Sequence, residues 1–347
     1  MVDQAATPEG SASAGNDAVN NTSFVMSDRA SMLIRLFGWT NLAIMLVYLI
    51  NNFLSNGAGF PGAGLGFATG GDLGADFFQF ALYPIAIGVT FAYVLACRQT
   101  SLRTDSFTVS SLNAFFIRAA FWAVLFVGLA DTLISFLRIE GFLDVFVSEQ
   151  FSKDLGRAQF RGPYVHVPLI GLGVVMAFFT RTLGFHWLAL LIVVAELLIV
   201  FSRFIFSYEQ AFMSDLVRFW YGALFLFASA YTLLEEGHVR VDIFYAGFEE
   251  KSKGYVNAYG SVFLGISLCW IILFVGMDNK ASIINSPLFN FETSQSGFGL
   301  YVKYLMAAFL GVFAISMMIQ FVSYLFGAVA DIRGEAGKHM PKPSDAH

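Results

Sequence analysis

The 347-residue sequence is 57% hydrophobic and 13% charged, with a mean hydropathy of +0.66 and a formal charge of −5. That balance leaves little room for a large water-soluble domain, and two cysteines are too few for a disulfide framework or an iron–sulfur site. Scattered basic residues give no nucleic-acid footprint.

Residues 1–28 are rich in Ala, Ser, Asn, Gly and Asp without apolar periodicity, and are expected to form a disordered tail. They contain no basic n-region followed by an apolar h-region, so no secretory signal peptide is expected before the first span. Eight apolar stretches follow: Leu33–Leu54, Phe77–Cys97, Phe115–Leu137, Pro163–Thr180, Phe185–Phe206, Leu216–Leu234, Asn257–Met277 and Val302–Ala330. Each is long enough to cross the ~30 Å hydrocarbon core as a helix. Lipid cannot satisfy a bare backbone, so the expected fold is all-α, a polytopic transmembrane bundle of about eight spans. The expected organisation is a membrane segment over 29–183, a second over 184–334, and a polar tail over 335–347.

Basic residues set orientation. With the N-terminus inside, Arg29, Arg35, Arg98, Arg103, Arg181, Arg240, Lys251, Lys253, Arg333, Lys338 and Lys342 are cytoplasmic, eleven against six for Arg138, Lys153, Arg157, Arg161, Arg203 and Lys280. Both termini are therefore expected in the cytoplasm.

Charged groups inside spans are costly. Asp131 and Glu196 sit in related strings, Ala130 to Arg138 and Ala195 to Arg203, which share the pattern Ala, acid, any, Leu, Ile, any, Phe, any, Arg. Acid and arginine are about two helical turns, or ~10 Å, apart on one face. One reading makes the two acids an ion or proton site of a self-sufficient transporter or channel. The other, preferred because the match is short, has Arg138 and Arg203 reaching the interface while each acid bonds a neighbouring helix. His166 and His186 fall near opposite membrane faces, which disfavours a haem site. No nucleotide-binding, metal-ligand or nucleophile–base constellation has usable spacing, so no cofactor, metal or enzymatic activity is expected.

After the sixth span comes Glu235-Glu236-Gly237-His238-Val239-Arg240-Val241-Asp242-Ile243-Phe244-Tyr245. Further features are Phe201-Ser202-Arg203-Phe204, Asp215 before Phe219-Trp220-Tyr221-Gly222-Ala223, then Glu292-Thr293-Ser294 and Tyr301-Val302-Lys303. Together these resemble the small membrane subunit, DctQ-type, of tripartite ATP-independent periplasmic (TRAP) transporters over about residues 184–334. Members usually have about four spans, so the first four are a departure: an N-terminal extension, or the outcome of the duplication that the two related strings suggest. The resemblance implies a scaffold subunit in a bacterial inner membrane. Its partners would be a large membrane subunit, which moves an organic acid or similar solute on an ion gradient, and a periplasmic solute-binding protein. His238, Arg240, Asp242, Trp220 and Lys303 are the candidate contacts to subunit or membrane lipid. From Val241, Ile243, Phe244, Phe248 and Tyr255 alternate with charged residues, the pattern of a short interfacial amphipathic helix leading into the seventh span.

Overall fold

The computed structural model describes residues 29–63, 73–181, 185–208, 210, 212–234, 245–293 and 300–337. Among them are eight helices long and apolar enough to cross a membrane, so the protein is an all-α polytopic bundle. They are α1 (Arg29–Gly57), α2 (Leu73–Ala96), α3 (Leu102–Ile139), α4 (Ala158–Phe179), α5 (Phe185–Phe206), α6 (Met213–Leu234), α7 (Glu250–Met277) and α8 (Lys303–Ile332). Short helices Leu143–Phe146 and Glu149–Leu155 link α3 to α4.

At 38 residues α3 is about 57 Å long, well beyond the expected span. Ser101 starts it, its hydroxyl accepting the Thr104 N–H at 3.2 Å. The expected span begins at Phe115, whereas the helix begins at Leu102, and Ser106, Ser110 and Asn113 of these early turns point at α8. The Ser106 hydroxyl donates to the Ser323 carbonyl at 2.9 Å, Ser110 and Ser323 hydroxyls lie 2.7 Å apart, and Asn113 donates to Gln320 at 3.1 Å. Side-chain bonds of this kind join helices where the hydrophobic effect gives no preference for helix over lipid.

Helix α8 is the hub and packs against α1, α3, α6 and α7. One core joins Phe121, Val124 and Val127 of α3 to Phe219, Ala223 and Phe227 of α6 and Phe309 of α8. The other joins Met45 of α1 and Val109 of α3 to Leu273 of α7 and Met318, Val322 and Phe326 of α8. Both cores therefore draw on residues before and after 184.

The starts of α1 and α3 meet the end of α8. Arg35, fully buried, donates to Asp105 at 2.5 Å and to the Cys97 carbonyl at 2.8 Å. Arg103 donates to Asp331 at 2.5 Å. At the opposite end the Asn52 and Asn285 amides pair at 3.0 Å. The first and last spanning helices thus have their chain-terminal ends on the same side. Arg35 and Arg161, counted above as loop charges, are both enclosed by protein.

The polar turns Glu250–Gly260 run without a break through a π-helical turn, Ser261–Ile266, into Ser267–Met277. They lean on α8, where Gly254 leaves no room for a Cβ beside the Ala328 carbonyl, 3.0 Å away. Residues 241–244, with which the expected interfacial helix opens, lie outside the described residues.

Candidate functional site

The most concentrated polar group inside the bundle centres on Asp131, which has no exposed surface. One carboxylate oxygen accepts from Arg161 Nη1 at 2.6 Å and lies 3.0 Å from His166 Nε2. The other accepts the backbone N–H of Tyr301 at 2.9 Å. His166 Nδ1 lies 2.8 Å from the Tyr304 hydroxyl, so a neutral ring with its proton on Nε2 satisfies both neighbours. Arg161 also donates to the Leu155 carbonyl at 2.9 Å, and its guanidinium sits 4.4 Å from the Tyr301 ring centre. Arg138 donates to the Tyr301 hydroxyl at 2.6 Å.

Local backbone chemistry explains how α4 supplies two of these groups. Pro168 has no N–H to give the Tyr164 carbonyl, and its ring crowds that turn. The chain responds with a π-helical turn over Gly162–His166, in which the Val167 N–H reaches back to the Gly162 carbonyl. Residues five apart, on different faces of an α-helix, come to one face in such a turn. Arg161 and His166 both reach Asp131 for that reason. Gly162 completes the arrangement, since a Cβ there would stand 2.3 Å from the Phe291 ring, which packs in turn on Tyr304.

A carboxylate holding an arginine, an imidazole and a backbone N–H is well satisfied, and its work here is to fix helices. Asp131 and Arg138 come from α3, Arg161 and His166 from α4, Tyr301 from the turn that leads into α8, and Tyr304 from the first turn of α8. Sequence reasoning marked Asp131 and expected a bond to a neighbouring helix. It missed Arg161, His166 and Tyr304, for which the available signal was the Pro163/Pro168 pair. Among the described residues, no group of His, Cys, Asp or Glu is placed to hold a metal ion.

The other expected residues are dispersed. Glu196 is exposed on α5, has no bonding partner among the described residues, and does not join Asp131 in a common site. Arg203 is also on the exposed surface of α5. Trp220 is 3% exposed and pressed against Gly128 of α3, a position that leaves no face for an external partner. Lys303, half-exposed, donates to Glu292 at 2.7 Å. His238, Arg240 and Asp242 lie outside the described residues.

Helices α5, α6 and α8 hold the candidate residues Glu196, Arg203, Trp220 and Lys303. Residues 190–330 match the family model of the DctQ component of tripartite ATP-independent periplasmic transporters. This segment is a DctQ domain. No curated protein and no solved structure gives a significant match to the chain. The DctQ domain begins within α5 and ends near the close of α8, so α1 to α4 are an N-terminal extension. DctQ proteins are bacterial inner-membrane transporter components and not an enzyme family.

Within the DctQ domain α5 is the outlying helix, with only Leu188 and Ala195 buried. Trp187, Leu190, Val194, Leu198 and Phe204 are all exposed around it. Glu196 occupies the twelfth of its 22 positions, so the one acidic side chain of this helix lies at mid-span.

Proposed function

We propose that this protein is the small permease subunit of a TRAP-type transporter. In this reading it supports a larger membrane subunit in ion-gradient-driven import of an organic acid or similar solute, with a periplasmic binding protein delivering that solute to the complex. The DctQ match over residues 190–330 carries the assignment.

Glu196 supports a docking role for the outer face of α5. An ionised side chain facing lipid at a helix centre costs about 2.5–3.5 kcal/mol on insertion scales, a cost removed when a partner helix supplies a donor. His238, Arg240, Asp242 and Lys303 are assigned to the same partner or to lipid at the membrane boundary. Both termini are placed in the cytoplasm on the loop-charge argument.

Reconstitution tests the reading. The purified chain in liposomes should take up no solute under a sodium or proton gradient, whereas co-reconstitution with a large TRAP membrane subunit and a solute-binding protein from the same genome should give uptake. Gradient-driven uptake by this chain alone would overturn the assignment.

A further inference from the structure

Two adjoining hollows lie where α6, α7 and α8 meet, and the transport role uses neither. The first, about 100 Å³, has polar walls that include Arg103 of α3, Lys253 and Asn257 of α7, Asp331 of α8, and Tyr245 from the turn before α7. The second, about 390 Å³, is walled mainly by apolar residues, among them Leu233 of α6, Leu264 and Leu268 of α7, and Phe321 of α8. Asn257 and Tyr324 line both, so the two hollows are continuous.

The charges of α7 and α8 fix the depth of these hollows. The sequence after Lys253 holds no charged residue until Asp278, and the sequence before Asp331 holds none back to Lys303. Lys253 and Asp331 stand at one level, because the neighbouring Gly254 packs against Ala328 and Ile332. Charges that close such long uncharged stretches mark the water boundary, so the polar hollow is at headgroup level. Further inward Gly265 packs against Phe321, and the second hollow follows α7 from Asn257 to Leu268 for about 16 Å. That is about half of the ~30 Å hydrocarbon core, the depth of one leaflet.

The polar hollow contains an unmet donor. Arg103 is 8% exposed, and while its Nη2 donates to Asp331, its buried Nε bonds nothing. Lys253 Nζ lies 5.9 Å from the Tyr245 ring centre and 3.6 Å from the carboxylate of Glu250, which is largely exposed on the rim. The Asn257 amide donates to the Tyr245 hydroxyl at 2.8 Å, which holds that ring at the mouth. Each cation here has a carboxylate beside it, Asp331 for Arg103 and Glu250 for Lys253, so the walls suit a zwitterion better than a net anion. A phosphate oxygen is the acceptor that Arg103 Nε and Lys253 lack, and a primary ammonium is the donor that suits Glu250.

We propose that the two hollows hold one ethanolamine phospholipid. Its phosphate rests between Arg103 and Lys253, its ammonium meets Glu250, and one acyl chain descends the groove between α6, α7 and α8. The lipid joins the extension to the DctQ domain, since Arg103 belongs to α3 and the other walls to α6, α7 and α8.

Native mass spectrometry of the full chain in mild detergent tests this with phosphatidylethanolamine, phosphatidylcholine and phosphatidylglycerol of identical acyl chains. One phosphatidylethanolamine should be retained per chain, about fivefold more strongly than either of the others, the size of one ionic contact near a membrane surface. Glu250→Ala should remove the preference over phosphatidylcholine, whose quaternary ammonium has no N–H to donate. Lys253→Gln should weaken retention of all three lipids, since each carries the phosphate. Gly260→Leu should do the same by filling the groove, which Gly260 lines and where a Cβ on it meets nothing within 4 Å. Glycerophosphoethanolamine, without chains, should not displace the lipid. Equal retention of the ethanolamine and choline lipids overturns the proposal, as does a preference for phosphatidylglycerol or one for ethanolamine that survives Glu250→Ala. Full retention in Lys253→Gln or Gly260→Leu, or displacement by the chain-free headgroup, overturns it equally.

Discussion

Asp131 and Glu196 have nearly the same sequence surroundings and opposite fates. Asp131 is enclosed with its partners, so removing the carboxylate strands Arg161, which has no exposed surface. Asp131→Ala should lower stability by about 3–5 kcal/mol, the usual consequence of orphaning a buried charge. Asp131→Leu with Arg161→Met removes both charges together and should recover much of that loss. Thermal unfolding in detergent, followed by tryptophan fluorescence, reads both effects. A double variant no more stable than Asp131→Ala would show that the pair is not the unit holding α3 to α4. Glu196 makes no bond among the described residues, so neither Glu196→Gln nor Glu196→Leu should change the unfolding temperature of the isolated chain. The difference should emerge on assembly. Gln preserves acceptor and shape, while Leu leaves a partner donor unpaired at a cost of about 1–3 kcal/mol, visible as reduced co-purification of the large subunit. Transport abolished by Glu196→Gln in a normally assembled complex would instead make the carboxylate an ion-carrying group.

At the scale of helices, close approach depends on where small residues fall, and α4 offers an internal comparison. A Cβ on Gly173 would stand 2.5 Å from the Ala123 nitrogen of α3, whereas one on Gly171 meets nothing within 4 Å. Gly173→Ala should therefore cost about 1–3 kcal/mol through overpacking against rigid backbone. Gly171→Ala should be neutral or slightly stabilising, because alanine restricts the unfolded chain and suits a helix. Unfolding temperatures of the two variants decide the matter, and equal effects would show that α3 and α4 do not meet backbone to backbone. The number and placing of the helices were legible in the sequence, because hydrophobic length is what a bilayer demands of each one. The beginning of α3 was not, because Ser106, Ser110 and Asn113 read as polar until α8 supplies their partners. Arg161 and His166 were hidden for a different reason: helical periodicity assumes an α-helix, and the π-helical turn before Pro168 moves residues five apart onto one face. Trp220 sits inside a family-like string, and nothing local to that string distinguishes a packing tryptophan from one facing outward.

On the scale of the molecule, the extension and the DctQ domain share their interior. The first core needs Phe121, Val124 and Val127 from α3 to cover Phe219 and Phe227 of α6, and the second needs Met45 and Val109 against α7 and α8. Their polar contacts also cross residue 184: Asp131 to Tyr301, Arg103 to Asp331, Ser110 to Ser323, and Asn52 to Asn285. A chain starting at residue 184 would expose apolar surface to lipid at little cost, because lipid is as apolar as the lost neighbours. It would also leave Gln320, Ser323 and the Tyr301 N–H without the partners that α3 now supplies, and such groups are expensive inside a bilayer. The truncated chain is therefore expected to insert but to be aggregated or heterogeneous on size-exclusion chromatography, while the full chain elutes as one species. Co-expression of residues 1–183 with residues 184–347 as separate chains should restore a single complex, held by the same four contacts. A monodisperse truncated chain, with the unfolding temperature of the full protein, would show that the first four helices are an appendage and not half of one bundle.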